Sequence, residues 1–267
     1  MISTPPFGTT TVMTGSDSRH AGKRATRLAW GGLILALAAL LLGGAAGLGH
    51  RAGLWSYTSG FALMGVAALA GLAALVANVI AGLRIRRLQP RPPLRVAVLG
   101  GVLGAIVVSL PANQLRLGMS LPRIHDITTD TANPPPFVAI APLRADSPNP
   151  SSYAGESVAR QQLASYPQVM PHYYKANRHV VFNEAVEIVR GRGWMAVATD
   201  DDGGRIEASV MSRWFGFVDD VVIRVAETPQ GTRVDMRSKS RVGQSDLGAN
   251  AERVRTFLAE LDQQLSY

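Results

Sequence analysis

Three hydrophobic runs in the first 115 residues constrain this chain more than any other feature. About 20 apolar residues without charge suffice to cross a bilayer as one helix. Leu28 to Leu48 holds no charged residue, and its 21 residues reach about 31 Å at 1.5 Å per residue. Tyr57 to Leu83 is longer, with Asn78 as its one strongly polar interior residue. Leu94 to Leu115 is weaker: Arg95 opens it, Pro111, Asn113 and Gln114 interrupt its end, and its apolar centre, Val96 to Leu110, is 15 residues. Such a segment spans if its flanks snorkel or the bilayer thins. The expectation is three transmembrane helices, 28–48, 57–83 and 94–115, after a disordered cytoplasmic tail, 1–27. The first run is longer than the apolar part of a cleavable signal peptide, and a second follows it at once.

Charge divides the chain at the same place. Through Leu115 there are ten Lys or Arg against one acid, Asp17, a net +9; from Arg116 onward 17 bases face 18 acids, a net −1. Lys and Arg accumulate in loops that stay in the cytoplasm. Four precede the first run, one lies between the first two, five fill Arg84 to Arg95, and Arg116 and Arg123 follow the third. That alternation puts the N-terminus inside and the C-terminal domain outside, in the periplasm of an inner-membrane protein, provided the third run spans. A domain near neutrality lacks the basic face that phosphates require, which disfavours nucleic acid. The absence of cysteine excludes disulfides and thiolate chemistry.

No span carries an ionisable residue in its middle, which disfavours a pump or transporter. The pairs Gly43/Gly47 and Gly100/Gly104, with Gly60, Gly65 and Gly71, predict close helix contacts, either among the chain's own helices or with a membrane-protein partner or second copy.

Residues 116–172 contain nine of the sixteen prolines and read as extended chain unable to sustain helix or a central strand. Ile124, Ile127, Phe137, Val138, Ile140 and Tyr153 make it an ordered, irregular wrap on a folded body rather than a tether. The body, 173–267, reads as α+β. Asn177 caps a helix to about Arg190, and strands follow over Trp194–Thr199, Arg205–Trp214, Phe217–Val225 and Thr232–Arg241. A last helix runs from about Ser245 to Leu265. Two helices on one face of a four-stranded antiparallel sheet is the predicted architecture.

Arg237 to Asn250 stands out among candidate sites, because a basic, hydroxyl-rich strand end runs into a helix N-terminus. Arg237, Lys239, Arg241, Ser245, Asp246 and Asn250 together suit an anion. The alternative is a solvated strand face followed by an ordinary cap at Ser245 or Asp246. Asp219 and Asp220 point to opposite faces and cannot act as a carboxylate pair. Asp219, on the apolar face, needs a partner such as an Arg or Ser of the last strand. His125 and Asp126 are a second candidate, without the clustering a metal needs. No metal site or cofactor is predicted. Gly243-Gln-Ser245 begins like a nucleophile elbow, but Leu247 stands where its second glycine belongs.

Four segments carry a family resemblance: His125-Asp-Ile-Thr-Thr-Asp130, Asn133-Pro-Pro-Pro-Phe137, Phe215-Gly-Phe-Val-Asp-Asp220 and Arg237 to Asn250. Together they resemble the bacterial domain-of-unknown-function family 1499 over about Arg116 to Leu265. The resemblance implies no activity and no catalytic residues; it does imply that the wrap belongs to the domain. The expected function is non-enzymatic binding of a partner or an anionic envelope ligand by a membrane-anchored domain, with an envelope-substrate enzyme or an accessory membrane subunit as alternatives.

Overall fold

The structure, a computed structural model, describes residues 15–88 and 92–266, and the chain divides into two compact units, Met1–Asn113 and Gln114–Tyr267. The expected apolar helices are α1 (Gly15–Arg51), α2 (Tyr57–Arg86) and α3 (Arg95–Ser120), each long and apolar enough to cross a membrane. Two boundaries move. α1 begins at Gly15 rather than Leu28, so Arg19 to Arg27 is helix, and the disorder expected of residues 1–14 lies outside the described residues. α3 carries Pro111 within it and continues to Ser120. Its 26 residues reach about 39 Å, so Pro111, Asn113 and Gln114 lie within the helix rather than ending it.

Glycine sets how closely these helices approach. The Asn78 amide on α2 is buried and wedged between Gly32 of α1 and Gly100 of α3. A Cβ on Gly32 would overlap the amide nitrogen, and one on Gly100 would lie 2.5 Å from it. Asn78 Nδ2 donates to the Ala74 carbonyl at 2.8 Å within its own helix, while its buried Oδ1 has no hydrogen-bond partner among the described residues. Where α2 and α3 meet, a Cβ on Gly104 would stand 2.7 Å from the Gly71 carbonyl oxygen and 2.9 Å from the Leu75 nitrogen. The Gly100/Gly104 pair is therefore used inside the chain.

The second unit is α+β, with six antiparallel strands rather than four. They are β1 (Asp126–Thr128), β2 (His172–Tyr174), β3 (Met195–Asp200), β4 (Arg205–Met211), β5 (Val218–Thr228) and β6 (Gly231–Ser240). The order is β1-β6-β5-β4-β3, and β2 shares the outer edge of β6 with β1. β2 pairs beside Thr232–Val234 and β1 beside Arg237–Lys239. Of the two additional strands, β1 comes from the Pro-rich segment and β2 begins at its last residue; extended chain of this kind suits an edge. The same segment forms a helix, α4 (Glu156–Ser165), in the proline-free stretch between Pro150 and Pro167, correcting the expectation that it holds none. Gln162 of α4 protects the sheet edge: its Nε2 donates to the Thr128 carbonyl at 2.6 Å and its Oε1 accepts from the Thr128 N–H at 3.0 Å.

Helices α5 (Arg178–Gly191) and α6 (Ala249–Gln264) cover one face of the sheet. Asn177 caps α5 as predicted, its side chain accepting from the His179 N–H at 2.8 Å. Val181, Phe182, Ala185 and Val189 of α5 and Val254, Phe257, Leu258 and Leu261 of α6 bury against Val221, Ile223, Val225, Val234 and Met236. Burying each large side chain contributes about 1.5–3 kcal/mol, so this layer is the main source of the unit's stability.

Candidate functional site

Side chains alternate across a strand, so the residues opposite this core face the other way. On β4 they are Arg205, Glu207 and Ser209; on β5, Asp220, Val222 and Arg224; on β6, Arg233, Asp235, Arg237 and Lys239. The pattern suggests a solvated face. The structure corrects this: Glu207, Asp220, Asp235, Arg237 and Lys239 are all buried. The wrap lies over them, with Phe137 and Ile140 packing on Val222.

A buried charge needs a partner and filled hydrogen bonds. Asp126 of β1 receives Arg237 through Nε at 2.8 Å and Nη2 at 2.9 Å, and Lys239 Nζ stands 3.1 Å away. The remaining donors reach wrap carbonyls: Arg237 to Pro135 and Ser151, and Lys239 to Ser152 at 2.6 Å. Phe137 sits 4.9 Å from the Arg237 guanidinium and 5.6 Å from that of Arg144, a cation–π arrangement on both. Burial lowers the Lys239 ammonium from its ordinary range, with Asp126 opposing. Burial raises the Tyr153 hydroxyl to about 12, with Asp126 adding to it.

Glu207 works in the reverse sense. Its carboxylate accepts three consecutive wrap N–H groups, Val138 at 2.9 Å, Ala139 at 3.0 Å and Ile140 at 2.8 Å. Asp130 accepts from Arg233 at 2.7 Å and Arg224 at 3.2 Å, and both arginines also pair with Asp235. Burial pushes the Asp130 carboxyl up, but the Asn133 N–H and Arg233 outweigh it and hold the group below its ordinary value.

The predicted anion site is divided by these contacts. Arg237 and Lys239 belong to the buried layer. Asp246 fills the N-terminus of α6 itself, accepting from Gly248 at 2.9 Å and Asn250 at 2.8 Å, and Ser245 Oγ accepts from the Leu247 N–H at 3.2 Å. Burial raises the Asp246 carboxyl, against those two N–H groups. Asn250 bridges Ser238, Ser240 and the His125 carbonyl. Asp219 pairs at 2.6 Å with Arg253 of α6 rather than with the last strand. The His125 imidazole is held below its ordinary value by burial. Neither Asp219 nor Asp220 joins His125 or Ser245 in a hydrogen bond among the described residues.

Arg241 lines a cleft of about 580 Å³, whereas Arg237 and Lys239 are buried. The cleft lies at the sheet end where β3 and β5 begin and β4 and β6 finish. Trp194, Met195, Met211 and Val218 supply apolar wall, and Arg192, Arg213 and Arg241 supply charge; among the described residues no carboxylate lines it. Met195 and Met211 are 63% and 54% exposed, far more than methionines packed in a core. Arg192 is fixed by Glu260 at 2.7 Å and by stacking 5.3 Å from the Trp194 ring. Arg241 holds Asp220 through Nε and Nη2, both at 2.9 Å. Asp220 also accepts from Ser209 at 2.6 Å and Arg144 at 2.7 Å. One carboxylate thus serves two guanidiniums, which leaves a positive excess beside the cleft.

Arg144, Glu207, Gln162 and the cleft's Arg192 and Met211 were not among the sequence candidates. Glu207 was visible only as one more polar residue in an alternating strand, and Arg144 sits in a segment without periodicity. The family described as "Protein of unknown function (DUF1499)" matches residues 126–261. No curated protein matches the chain. The family match begins at Asp126 of the buried layer and takes in Phe137, Asp220, Arg237 and Lys239, and it spans more than half of the sequence. This chain belongs to the DUF1499 family.

Proposed function

We propose that the second unit is an extracytoplasmic binding domain, held at the inner membrane by the three apolar helices, whose cleft takes an anionic ligand with an apolar part. The observation that carries this reading is the cleft lining: three guanidiniums, exposed methionine beside a half-buried tryptophan, and, among the described residues, no carboxylate. Few-residue charge clusters beside apolar wall are the usual make-up of small-molecule sites. Arginine suits phosphate or carboxylate because its fork donates in parallel. The placement outside rests on the alternation of basic residues around the spans.

An alkaline phosphatase fused after Tyr267 is expected to be active, and a stable but inactive fusion contradicts the placement. For the ligand, mass spectrometry of lipids and small anions retained by the full chain is expected to find an anionic species that Arg241→Gln with Met211→Asp loses. An identical set in both contradicts the reading. A second reading, an accessory membrane subunit, draws on Gly31 and Gly65, whose faces are open to a neighbouring helix.

A further inference from the structure

The three-helix unit carries a second recess, independent of the cleft. A groove of about 430 Å³ runs between α2 and α3, with Leu75, Val79, Leu83, Val98 and Val102 among its apolar walls. Arg86 is its one charged residue among the described residues. We propose that this groove holds an anionic phospholipid, with an acyl chain along the α2–α3 walls and the phosphate at Arg86.

Three observations select this occupant over a neighbouring helix. The groove ends at Arg86, and the same end of the bundle carries Arg84 and Arg87 of α2 and Arg95 of α3, against one acidic residue, Asp17 in the first turn of α1. Basic pockets between transmembrane helices recognise anionic headgroups. The first turn of α3 opens at this mouth beside Leu94, so its free N–H groups add positive potential where the phosphate would sit. Finally, Asn78, the one uncharged polar residue lining the groove among the described residues, keeps its amide out of it. Asn78 sends its amide inward between Gly32 and Gly100, leaving its Cβ toward Gly101, where an added Cβ would lie 3.8 Å away. The groove floor is therefore apolar and open, suited to a methylene chain rather than to a hydrogen-bonding side chain. A long basic side chain here can lay its stem on lipid while its head reaches the phosphate.

The test uses the full chain reconstituted in vesicles of equal phosphatidylglycerol and phosphatidylcholine, extracted in mild detergent and weighed by native mass spectrometry. The wild type is expected to retain phosphatidylglycerol over phosphatidylcholine by about fivefold, the effect of one arginine at an anionic surface. Arg86→Gln should abolish that preference while lipid is still retained. Gly101→Leu, which fills the groove, should reduce retention of both lipids, with circular dichroism reporting that the helices persist. Arg51→Gln, at the other end of α1, should change neither. Equal retention of the two lipids by the wild type overturns the proposal. So does unchanged retention in Gly101→Leu, including the case in which that variant instead converts a dimer to a monomer.

Discussion

Arg144 donates to Asp220 at 2.7 Å with both side chains fully withdrawn from solvent. The bond joins a short 3₁₀ turn of the wrap, Pro142–Arg144, to β5. Arg144 also donates to the carbonyls of Lys239, Asn149 and Ser240, so one guanidinium ties two stretches of wrap to two strands. Burial lowers its pKa from the ordinary arginine value, with Asp220 opposing. Such a pair costs desolvation on forming and costs more when broken from one side.

Arg144→Met should therefore destabilise the second unit by about 3 kcal/mol, the low end for a broken buried pair, because Arg241 and Ser209 still hold Asp220. Thermal unfolding of the full chain in detergent, followed by tryptophan fluorescence, measures it. Adding Asp220→Asn should recover part of the loss. Additive losses would show that the two side chains do not act as a pair.

Glu207→Gln keeps the shape of the side chain but removes the charge that three wrap N–H groups share. The expected cost is about 2–3 kcal/mol, since hydrogen bonds to charged groups exceed neutral ones. Limited proteolysis should then cut near residues 138–140 while the helix-covered face stays resistant. A cleavage pattern identical to the wild type would contradict the role assigned to Glu207.

The Asp130 carboxyl is held below its ordinary value, so its contribution to stability is present above the unfolded value and lost as pH falls through the folded one. Stability of the second unit should decline below about pH 4, and Asp130→Asn should flatten that part of the curve. Denaturant midpoints between pH 6 and pH 3 compare the two proteins. Parallel curves would exclude Asp130 as a source of the acid sensitivity.

In the membrane helices, Gly104→Val places new atoms against backbone of α2 rather than against a movable side chain. Close approach there should fail, lowering the detergent-unfolding midpoint of the helical unit, while Gly65→Val, which meets open space, leaves it unchanged. Equal effects of the two substitutions would refute the assigned contact.

Much of this was legible in the residues, and the failures share one cause. The spans, the Asn177 cap and the four long strands follow from local periodicity and capping chemistry. β1 and β2 are three residues each and exist only because β6 offers an edge, so no local pattern announces them. The same holds for burial of the charged face. Arg233, Asp235, Arg237 and Lys239 alternate as a solvated strand would, and only the location of the wrap decides otherwise. A clue was present: Phe137 and Ile140 needed a surface, and the two helices already occupied one face. The candidate anion site was half legible, since Arg241 reaches the cleft, whereas the helix N-terminus beyond it is occupied by Asp246.

The central claim is that the arginine-rimmed cleft takes an anionic group beside an apolar one. Trp194 lines that cleft, so titrating the full chain with hexyl phosphate, and separately with hexanol, reads it through tryptophan fluorescence. The account predicts a saturable change with hexyl phosphate that is weakened about tenfold in Arg241→Gln, a loss of about 1.4 kcal/mol, and no saturable change with hexanol. Equal responses to both compounds, or an undiminished response in Arg241→Gln, would contradict it.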